Sequence, residues 1–546
     1  MSMKINILII IPARGGSKGI PRKNLRALNG QPLLAYVIGS ALKSSYAPDI
    51  YVSSDDDEIL SIARKYGANV HKRHPDRARD ETTLDPVVYD VYQYATKHED
   101  KPYDIIVTLQ PTSPLITTTS VDNAITTLLN NPSIDTVISA KDDTHLTWRK
   151  EDGCYIPNYA KRVNRQYLPP TFKETGAFLI TRSNIITEHN RIGSNVALYL
   201  LTGDESIDID TYDDWSLCEY YLHRKKILFV VPGYHEIGLG HVYNTLLLAN
   251  DILNHEISFL VDAKSQLAYD KIAERNYHVV MQKNDDIIDD IRSLRPHVVI
   301  NDRLDTPQTY MQNLKELGVK IVNFEDLGEG AARADLVINA MYPERDVLPN
   351  HYFGYKYFCL RDEFLLTPKK TVIADVDHVL ITFGGVDPNN YTLKVLDAIY
   401  DYCLQNHIRI IVVAGFGYHK YDTLEPFERV VLVKNAMNIS DHMLMADVIF
   451  TSAGRTTYEA AAIGTPTIVM AQNSRETTHF FASKEFGFLN LGLGTSLTAD
   501  EILHAFHKVA ESADDRAYMN KLMRQVNLTQ GRINVINLIN QLLEQA

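Results

Sequence analysis

The chain has 546 residues, too many for one ordinary hydrophobic core, so two or three domains are expected. Lysine and arginine number 55 against 68 aspartates and glutamates, and the net charge of −13 excludes a general nucleic-acid binder, whose footprint would be basic. The four cysteines are scattered without a CxxC pair, which argues against a zinc site or a disulfide framework and matches reduced thiols in the cytoplasm. The apolar run near the start is short and interrupted at Asn6, poor material for a signal peptide, and no run approaches the about 20 residues of a membrane span.

The first element is Ile7–Asn24, ILIIIPARGGSKGIPRKN. Ile7 to Ile11 is a continuous apolar run rich in β-branched residues, the signature of a strand buried on both faces. It breaks at Pro12 into a loop with Gly15, Gly16 and Gly19 and the cations Arg14, Lys18, Arg22 and Lys23. Glycines let backbone N–H groups approach an anion and the cations neutralise it, so the loop reads as a phosphate cradle or as a solvated basic turn after a core strand. It is not a P-loop, because no Gly-Lys-Ser/Thr follows at the required spacing.

Beyond the loop, apolar residues at helical spacing predict a helix over Gln31–Ser44, then a strand at Asp49–Ser54 and a helix at Glu58–Tyr66. Strands at Ile105–Leu109 and Thr136–Ser139 flank a helix at Val121–Leu129. This alternation predicts a doubly wound, mostly parallel sheet with its ligand beyond the carboxyl ends of the strands. Each of the first three strands ends in polar punctuation: the glycine loop, Ser54–Asp57, and QPTSP at 110–114. Later, SIDIDTYDDW at 206–215 places Asp208 and Asp210 two apart, on one face of an extended strand. Such a pair suits Mg²⁺, which takes one or two carboxylates plus substrate oxygens, or it is an acidic surface strand.

PARGGSKGIPRKN, with the DID pair, resembles the cytidylyltransferases that activate sialic acid-like nonulosonic acids as CMP-sugars. The resemblance covers about residues 3–222 and implies a Rossmann-like nucleotidyltransferase fold using CTP and Mg²⁺. By similarity, Ala13, Arg14, Gly15, Ser17, Lys18 and Lys23 hold the CTP phosphates, and Asn24 and Arg73 contact the cytidine. Gln110 faces the sugar acid, with Arg165 and Gln166, and Thr175-Gly176-Ala177 stands where the family has Asn-Gly before Ala. Asp208 and Asp210 match the metal pair. The implied chemistry is attack of an anomeric hydroxyl on the α-phosphate of CTP with loss of pyrophosphate, with Arg14, Lys23 and Asp210 in the catalytic set. The general base stays open between an aspartate and a metal-bound water.

Residues 222–226, LHRKK, form a short basic link, and a new buried strand starts at Ile227–Val231. It leads to HEIGLGH at 235–241, where Gly238 and Gly240 lack the third glycine of a dinucleotide fingerprint. His241 enters a helix at its positive end, where it reads as a neutral general base or as a capping residue. Further strands at Ile257–Val261, His297–Ile300, Lys320–Asn323 and Leu336–Ile338, then at Val379–Phe383, Ile410–Val413, Val448–Phe450 and Thr467–Met470, predict two Rossmann-like halves with a cleft between them. The second half carries Gly384-Gly385-Val-Asp387-Pro388 at a strand end and SAGRTTYE at 452–459 leading into a helix, a diphosphate site in which Glu459 receives ribose hydroxyls.

GLGHV, NDRLDT, DLGEGA, FGGVDP and SAGRTTYEAAAIGTP are similar to the nucleotide-sugar hydrolase of pseudaminic acid biosynthesis, whose two-half fold is related to GT-B glycosyltransferases. The resemblance implies that His241 activates water against a UDP-sugar held by Gly238, Gly240, Gly384, Gly385, Gly454, Thr456, Glu459 and Asn473. Asn244 stands where arginine is usual, and Asn473-Ser474 where Asn-Gln is usual. The expected domains are 1–224, a cytidylyltransferase, then 225–372 and 373–546, the two Rossmann-like halves.

The chain thus reads as a bifunctional, cytoplasmic enzyme of nonulosonic acid biosynthesis without nucleic-acid or membrane partners. Its implied substrates are CTP, a nonulosonic acid and a UDP-sugar, and related enzymes imply a homodimer, with 142–167 as a candidate arm. Alternatives are a C-terminal GT-B glycosyltransferase, or a silent sugar-nucleotide sensor or scaffold, and an N-terminal cytidylyltransferase for a 3-deoxy-octulosonic acid.

Overall fold

In the computed structural model the described residues are 5–79, 81–234, 238–344, 348–372, 374–436 and 438–545, so residues 235–237 of the HEIGLGH stretch and the boundary residue 373 lie outside them. The chain divides into two compact units, Met1–Arg224 and Lys225–Ala546.

The first unit is built on a seven-stranded sheet with strand Ile7–Pro12 near its middle. Alternation along that strand explains the layering. Ile7, Ile9 and Ile11 pack with Leu34, Val37 and Ile38 of helix Leu33–Leu42 and with Val121, Ile125 and Leu128 of helix Thr118–Asn130. Leu8 and Ile10 face the other way, onto Val88, Val91 and Ala95 of helix Leu84–Glu99. Each such side chain contributes about 1.5–3 kcal/mol by leaving water, and both faces are covered, which is why the run is continuously apolar. The strand order is Val196–Leu200, Thr136–Asp142, Phe172–Arg182, Ile105–Leu109, Ile7–Pro12, Asp49–Ser54, Asn69–Lys72. Phe172–Arg182 runs antiparallel to both neighbours and the remaining pairings are parallel, so the sheet is mixed.

The helix expected over Gln31–Ser44 is shorter, Leu33–Leu42. Gln31–Pro32 instead pairs with Ala27–Leu28 across Asn29 and Gly30, both at positive φ (45° and 81°), the signature of a two-residue type I′ turn. Helix Asp57–Lys65 begins one residue earlier than expected because Asp56 caps it, its carboxylate accepting from the Glu58 and Ile59 amides. Residues 142–167 carry an exposed hairpin, Trp148–Glu151 with Cys154–Pro157, apart from the main sheet.

The second unit holds two all-parallel sheets. The first has the order His278–Met281, Glu256–Val261, Lys226–Val230, Val298–Asn301, Lys320–Phe324, Leu336–Asn339, His351–Phe353. The second has the order Val430–Lys434, Arg409–Ala414, His378–Ile381, Val448–Thr451, Thr467–Ala471, Phe488–Leu493. These are two Rossmann-like halves, and in sheets of this kind ligands generally bind beyond the carboxyl ends of the strands. The last helix, Gly531–Glu544, does not stay with the second sheet: Val535, Ile539 and Leu542 pack into the core of the first, against Ile227 and Phe229. Among the described residues no helix is long and apolar enough to cross a membrane, and the four cysteines are free.

Candidate functional site

The glycine loop of the first unit leaves the sheet at the carboxyl end of Ile7–Pro12 and presses against the end of the next strand. Ala13 is buried and donates its amide to the Ser53 carbonyl at 2.9 Å, and the Gly15 amide donates to Asp55 Oδ1 at 3.0 Å. A Cβ on Gly15 would stand 2.9 Å from the Asp56 side chain, so the close approach requires glycine. Asn24, at the turn after the loop, donates from Nδ2 to the Arg14 carbonyl at 3.0 Å, while its Oδ1 is buried without a partner. Arg73 is only 4% exposed and holds Ser53 through Nη2 to the carbonyl at 2.8 Å and Nε to Oγ at 3.3 Å. Burial lowers its pKa to about 10, with Asp55 opposing and Arg14 reinforcing that shift. Arg14, Asn24 and Arg73 therefore converge under one loop. Ser17 is half-buried and Lys18 is exposed. Arg22, at φ 56°, turns away and pairs with Glu58, so it is not part of the cradle.

The acidic pair reaches the same place. The expected strand over Ser206–Trp215 is absent: Gly203–Ser206 is a short 3-10 turn and Tyr212–His223 a helix capped reciprocally by Thr211 and Asp214. Between them Ile209 is buried among Ile20, Leu33 and Trp215 and donates its amide to the Thr112 carbonyl at 2.8 Å. That single anchor turns Ile209 into the core and its two aspartate neighbours to the opposite side of the backbone, without a strand ladder. Asp208 is raised above the ordinary carboxylate range by burial, with a hydrogen bond from Thr112 opposing, and its Oδ1 is buried without a partner. Asp210 is exposed.

Gly176 joins these parts. It sits at φ 74°, and a Cβ there would lie 3.4 Å from Gln110 Nε2 and 3.5 Å from Asp208 Oδ2. Gln110 is itself fixed by its amide, which donates to the Ala177 carbonyl at 2.9 Å. Ser113, in the same QPTSP segment, has a buried Oγ without a partner, a polar group that the sequence reading passed over. Arg165 and Gln166, by contrast, are exposed on the turn Arg165–Tyr167 and make none of the hydrogen bonds that tie the other residues together. Among the described residues no group of three or more His, Cys, Asp or Glu could hold a metal ion by itself. Asp208 and Asp210, with the unpartnered Asp208 Oδ1, fit a cation that completes its shell with substrate oxygens.

In the second unit a cleft of about 720 Å³ opens at the strand ends, and Gly238, Gly240, His241, Gly384, Gly385, Gly454, Thr456, Glu459 and Asn473 all line it. His241 stands in the first turn of helix Gly240–Asp251, with Nδ1 2.6 Å from Oδ1 of the buried Asp302. Asn244 Nδ2 donates to the other oxygen of Asp302 at 2.7 Å. Asp302 follows strand Val298–Asn301 inside NDRLDT, and nothing in its sequence neighbourhood marks it as the partner of a histidine 61 residues away. Glu459 lines the cleft, but its carboxylate accepts from Arg361 Nε at 2.9 Å, so a ribose would compete with that guanidinium for it. Asn473 Oδ1 accepts from the Glu476 amide at 3.0 Å, and Asp387 caps helix Tyr391–Gln405 through the Tyr391 and Thr392 amides at 2.9 and 2.8 Å. Glu325, at φ 52° and fully buried on the cleft wall, has its pKa raised to about 8 by burial, with Arg455 opposing.

A family model described as Cytidylyltransferase matches residues 8–201. The chain is 31% identical over 271 residues to an uncharacterized protein of Methanocaldococcus jannaschii, covering 45% of this chain and 56% of that one. It is 33% identical over 222 residues to the CMP-N,N'-diacetyllegionaminic acid synthase of Legionella pneumophila, covering 39% of this chain and 95% of that one. Among solved structures it is similar to Acinetobacter baumannii MurG, 14% identical with a TM-score of 0.43, over 58% of this chain and 99% of that one. The chain spans about half the length of the curated relatives it matches first. Through its first unit, the chain belongs to the cytidylyltransferase family.

Proposed function

We propose that the first unit transfers a cytidylyl group from CTP to a sialic acid-like 2-keto nonulosonic acid, giving a CMP-sugar and pyrophosphate. The observation that carries this reading is the convergence of Asn24, Arg73, Gln110, Gly176 and Asp208 around the glycine loop. The anomeric oxygen of the acid forms a bond to the α-phosphorus, the bond from that phosphorus to the pyrophosphate oxygen breaks, and the hydroxyl proton leaves to a base. Loop amides and Arg14 meet the phosphate charge where it develops, and Lys23 holds the loop against the acidic segment. Asn24 Oδ1 is an acceptor for a cytosine amino group, and Gln110 with the bare face of Gly176 leaves room for the acid. Mg²⁺, held by Asp208 and Asp210 with phosphate oxygens, would supply charge neutralisation.

The test is pyrophosphate release from CTP and Mg²⁺ with N-acetylneuraminate, its deaminated analogue, legionaminate, pseudaminate and 3-deoxy-octulosonate, with Asp208→Ala as control. Release with one of the first four acids, lost in the variant, supports the reading. Release with the octulosonate alone would move the enzyme to the sister class, and no release with any of the five would reject the reading.

For the second unit, the pairing of His241 with Asp302 in the cleft favours hydrolysis of a UDP-sugar. A water oxygen would bond to the anomeric carbon, the bond to the UDP oxygen would break, and His241 Nε2 would take the water's proton. UDP release that disappears in His241→Ala supports this. Product formed only with a second sugar present identifies a glycosyltransferase instead, and binding without turnover a sensor or scaffold. The exposed Trp148, Tyr155 and Tyr167 of the 142–167 segment support a homodimer through that arm.

A further inference from the structure

His241 and Asp302 belong to the first half of the second unit, yet the hydrogen-bond chain that holds them does not end there. Asn244, one turn along the helix from His241, is buried and uses both ends of its amide. Nδ2 donates to Asp302 Oδ2 at 2.7 Å, and Oδ1 accepts from Arg455 Nη2 at 3.0 Å. A carboxylate only accepts and a guanidinium only donates, so these two neighbours allow a single amide orientation. Arg455 comes from the second half, immediately before helix Thr456–Ile463. Its guanidinium is held in turn by the Cys359 carbonyl at 3.1 Å and lies 4.5 Å from the centre of the Phe358 ring. Phe358 stacks on Tyr458 at 3.8 Å, and Tyr458 on Phe481 at 4.1 Å, so the arginine rests on a rigid column of rings.

We infer that Arg455 and Asn244 are positioning residues through which the second half sets the tautomer of His241. With Asp302 clamped by Asn244, its Oδ1 faces His241 Nδ1, which carries the ring proton, and Nε2 keeps its lone pair for the cleft. Releasing the clamp at either member frees Asp302 to rotate in its pocket and lets the imidazole populate the other tautomer, in which Nε2 is protonated and cannot accept a proton. Arg455 also borders the glycine-containing turn Ser452–Gly454 on the cleft wall, so the residue that anchors the clamp stands where a ligand's diphosphate would enter. The two halves thus meet in the acid–base group itself, and a change in their mutual closure would be felt at Nε2. This inference rests on the reading of His241 as the base of the second unit, but its primary test does not require turnover.

The experiment uses the full chain with ring-¹⁵N-labelled histidine, the His241 signals being assigned by His241→Gln. Asn244→Leu removes both hydrogen bonds at similar volume, and Arg455→Met removes the donor while keeping an unbranched chain over Phe358. In the wild type, the nitrogen shifts of His241 are expected to report a single Nδ1–H tautomer, and in both variants a mixture, with thermal melting unchanged. A single Nδ1–H tautomer retained in the variants would overturn the inference, since Asp302 alone would then suffice. If one variant melts abnormally, the other, made from the opposite half, decides. Where the wild type releases UDP, kcat is expected to fall tenfold or more in Asn244→Leu with KM for the UDP-sugar little changed. A wild type that releases no UDP from any UDP-sugar rejects the hydrolase reading, and the tautomer measurement still decides the clamp.

Discussion

Lys23 Nζ stands 3.3 Å from Asp210 Oδ1 and also donates to the Ile209 carbonyl, joining the glycine loop to an acidic segment 187 residues further along. Asp210 is 76% exposed, so the ion pair itself adds little stability, roughly 0–1 kcal/mol. Its consequence is geometric: it holds the glycine loop beside the segment that carries the two aspartates. Gly19 allows the same approach, since a Cβ there would lie 2.5 Å from the Asp210 carbonyl. Lys23→Met is therefore expected to raise KM for CTP about tenfold, the equivalent of about 1.4 kcal/mol, while the melting temperature moves by less than 2 °C or so. Steady-state kinetics beside calorimetry checks both.

Asp208 separates function from stability. Burial raises its pKa, so the folded state binds a proton that the unfolded chain releases, and the cost of ionising it is fully present above the folded pKa and relieved as pH falls through it. Asp208→Asn should abolish pyrophosphate release and yet raise the melting temperature near neutrality by about 2–4 °C, for about 1 kcal/mol. In the wild type the apparent Mg²⁺ affinity should weaken as pH falls, because the protonated carboxyl no longer serves as a ligand. Mg²⁺ titrations of initial rate at several pH values check this.

Gly176→Ala tests the wall between Gln110 and Asp208. The alanine meets a positive φ, which costs about 1 kcal/mol or more, and its methyl lies in contact with Gln110 Nε2 and Asp208 Oδ2. KM for the sugar acid is expected to rise at least tenfold while KM for CTP stays within about twofold, a split that simple unfolding would not produce.

Glu325 gives the second unit its own pH signature. With its pKa raised to about 8, the buried carboxyl is protonated when folded over a range in which the unfolded chain has lost the proton. Its contribution to stability thus falls as pH rises from the ordinary carboxylate range to about 8, and levels off above that. Glu325→Gln should match the wild type at about pH 4, below the ordinary carboxylate range, and exceed it increasingly up to about pH 8, by about 1–3 kcal/mol at the plateau. Denaturant midpoints across that range provide the measurement.

Much of the architecture is legible locally. The run Ile7 to Ile11 is apolar at every position because helices cover both faces of its sheet, and the glycines and cations after it mark a loop at a strand end. The parallel strands of the second unit are readable for the same reason, short apolar β-branched runs bounded by polar turns. Asn29-Gly30 carried a turn signal too, which the helical spacing of the following residues obscured. The edge strands Asn69–Lys72 and His278–Met281 carry only short or broken apolar runs, and Val196–Leu200, though apolar throughout, is only half covered at its edge of the sheet.

What only the tertiary structure decided are relations between residues that share no local pattern. The antiparallel insertion of Phe172–Arg182 depends on sheet register, and the return of helix Gly531–Glu544 to the first Rossmann-like half depends on which core remains open to its apolar face. The same holds for chemistry. Residue types marked Arg14 and His241 as candidates and the family resemblance added Asn24, but the unpartnered Asn24 Oδ1, the meeting of Gly176 with Asp208 and the clamp from Arg455 through Asn244 and Asp302 to His241 exist only once distant strand ends are brought side by side. Periodicity and glycine placement act over one turn or one strand, whereas burial and hydrogen-bond partners are set by packing across the chain, and it is burial that shifts Asp208, Arg73 and Glu325 from their ordinary pKa values.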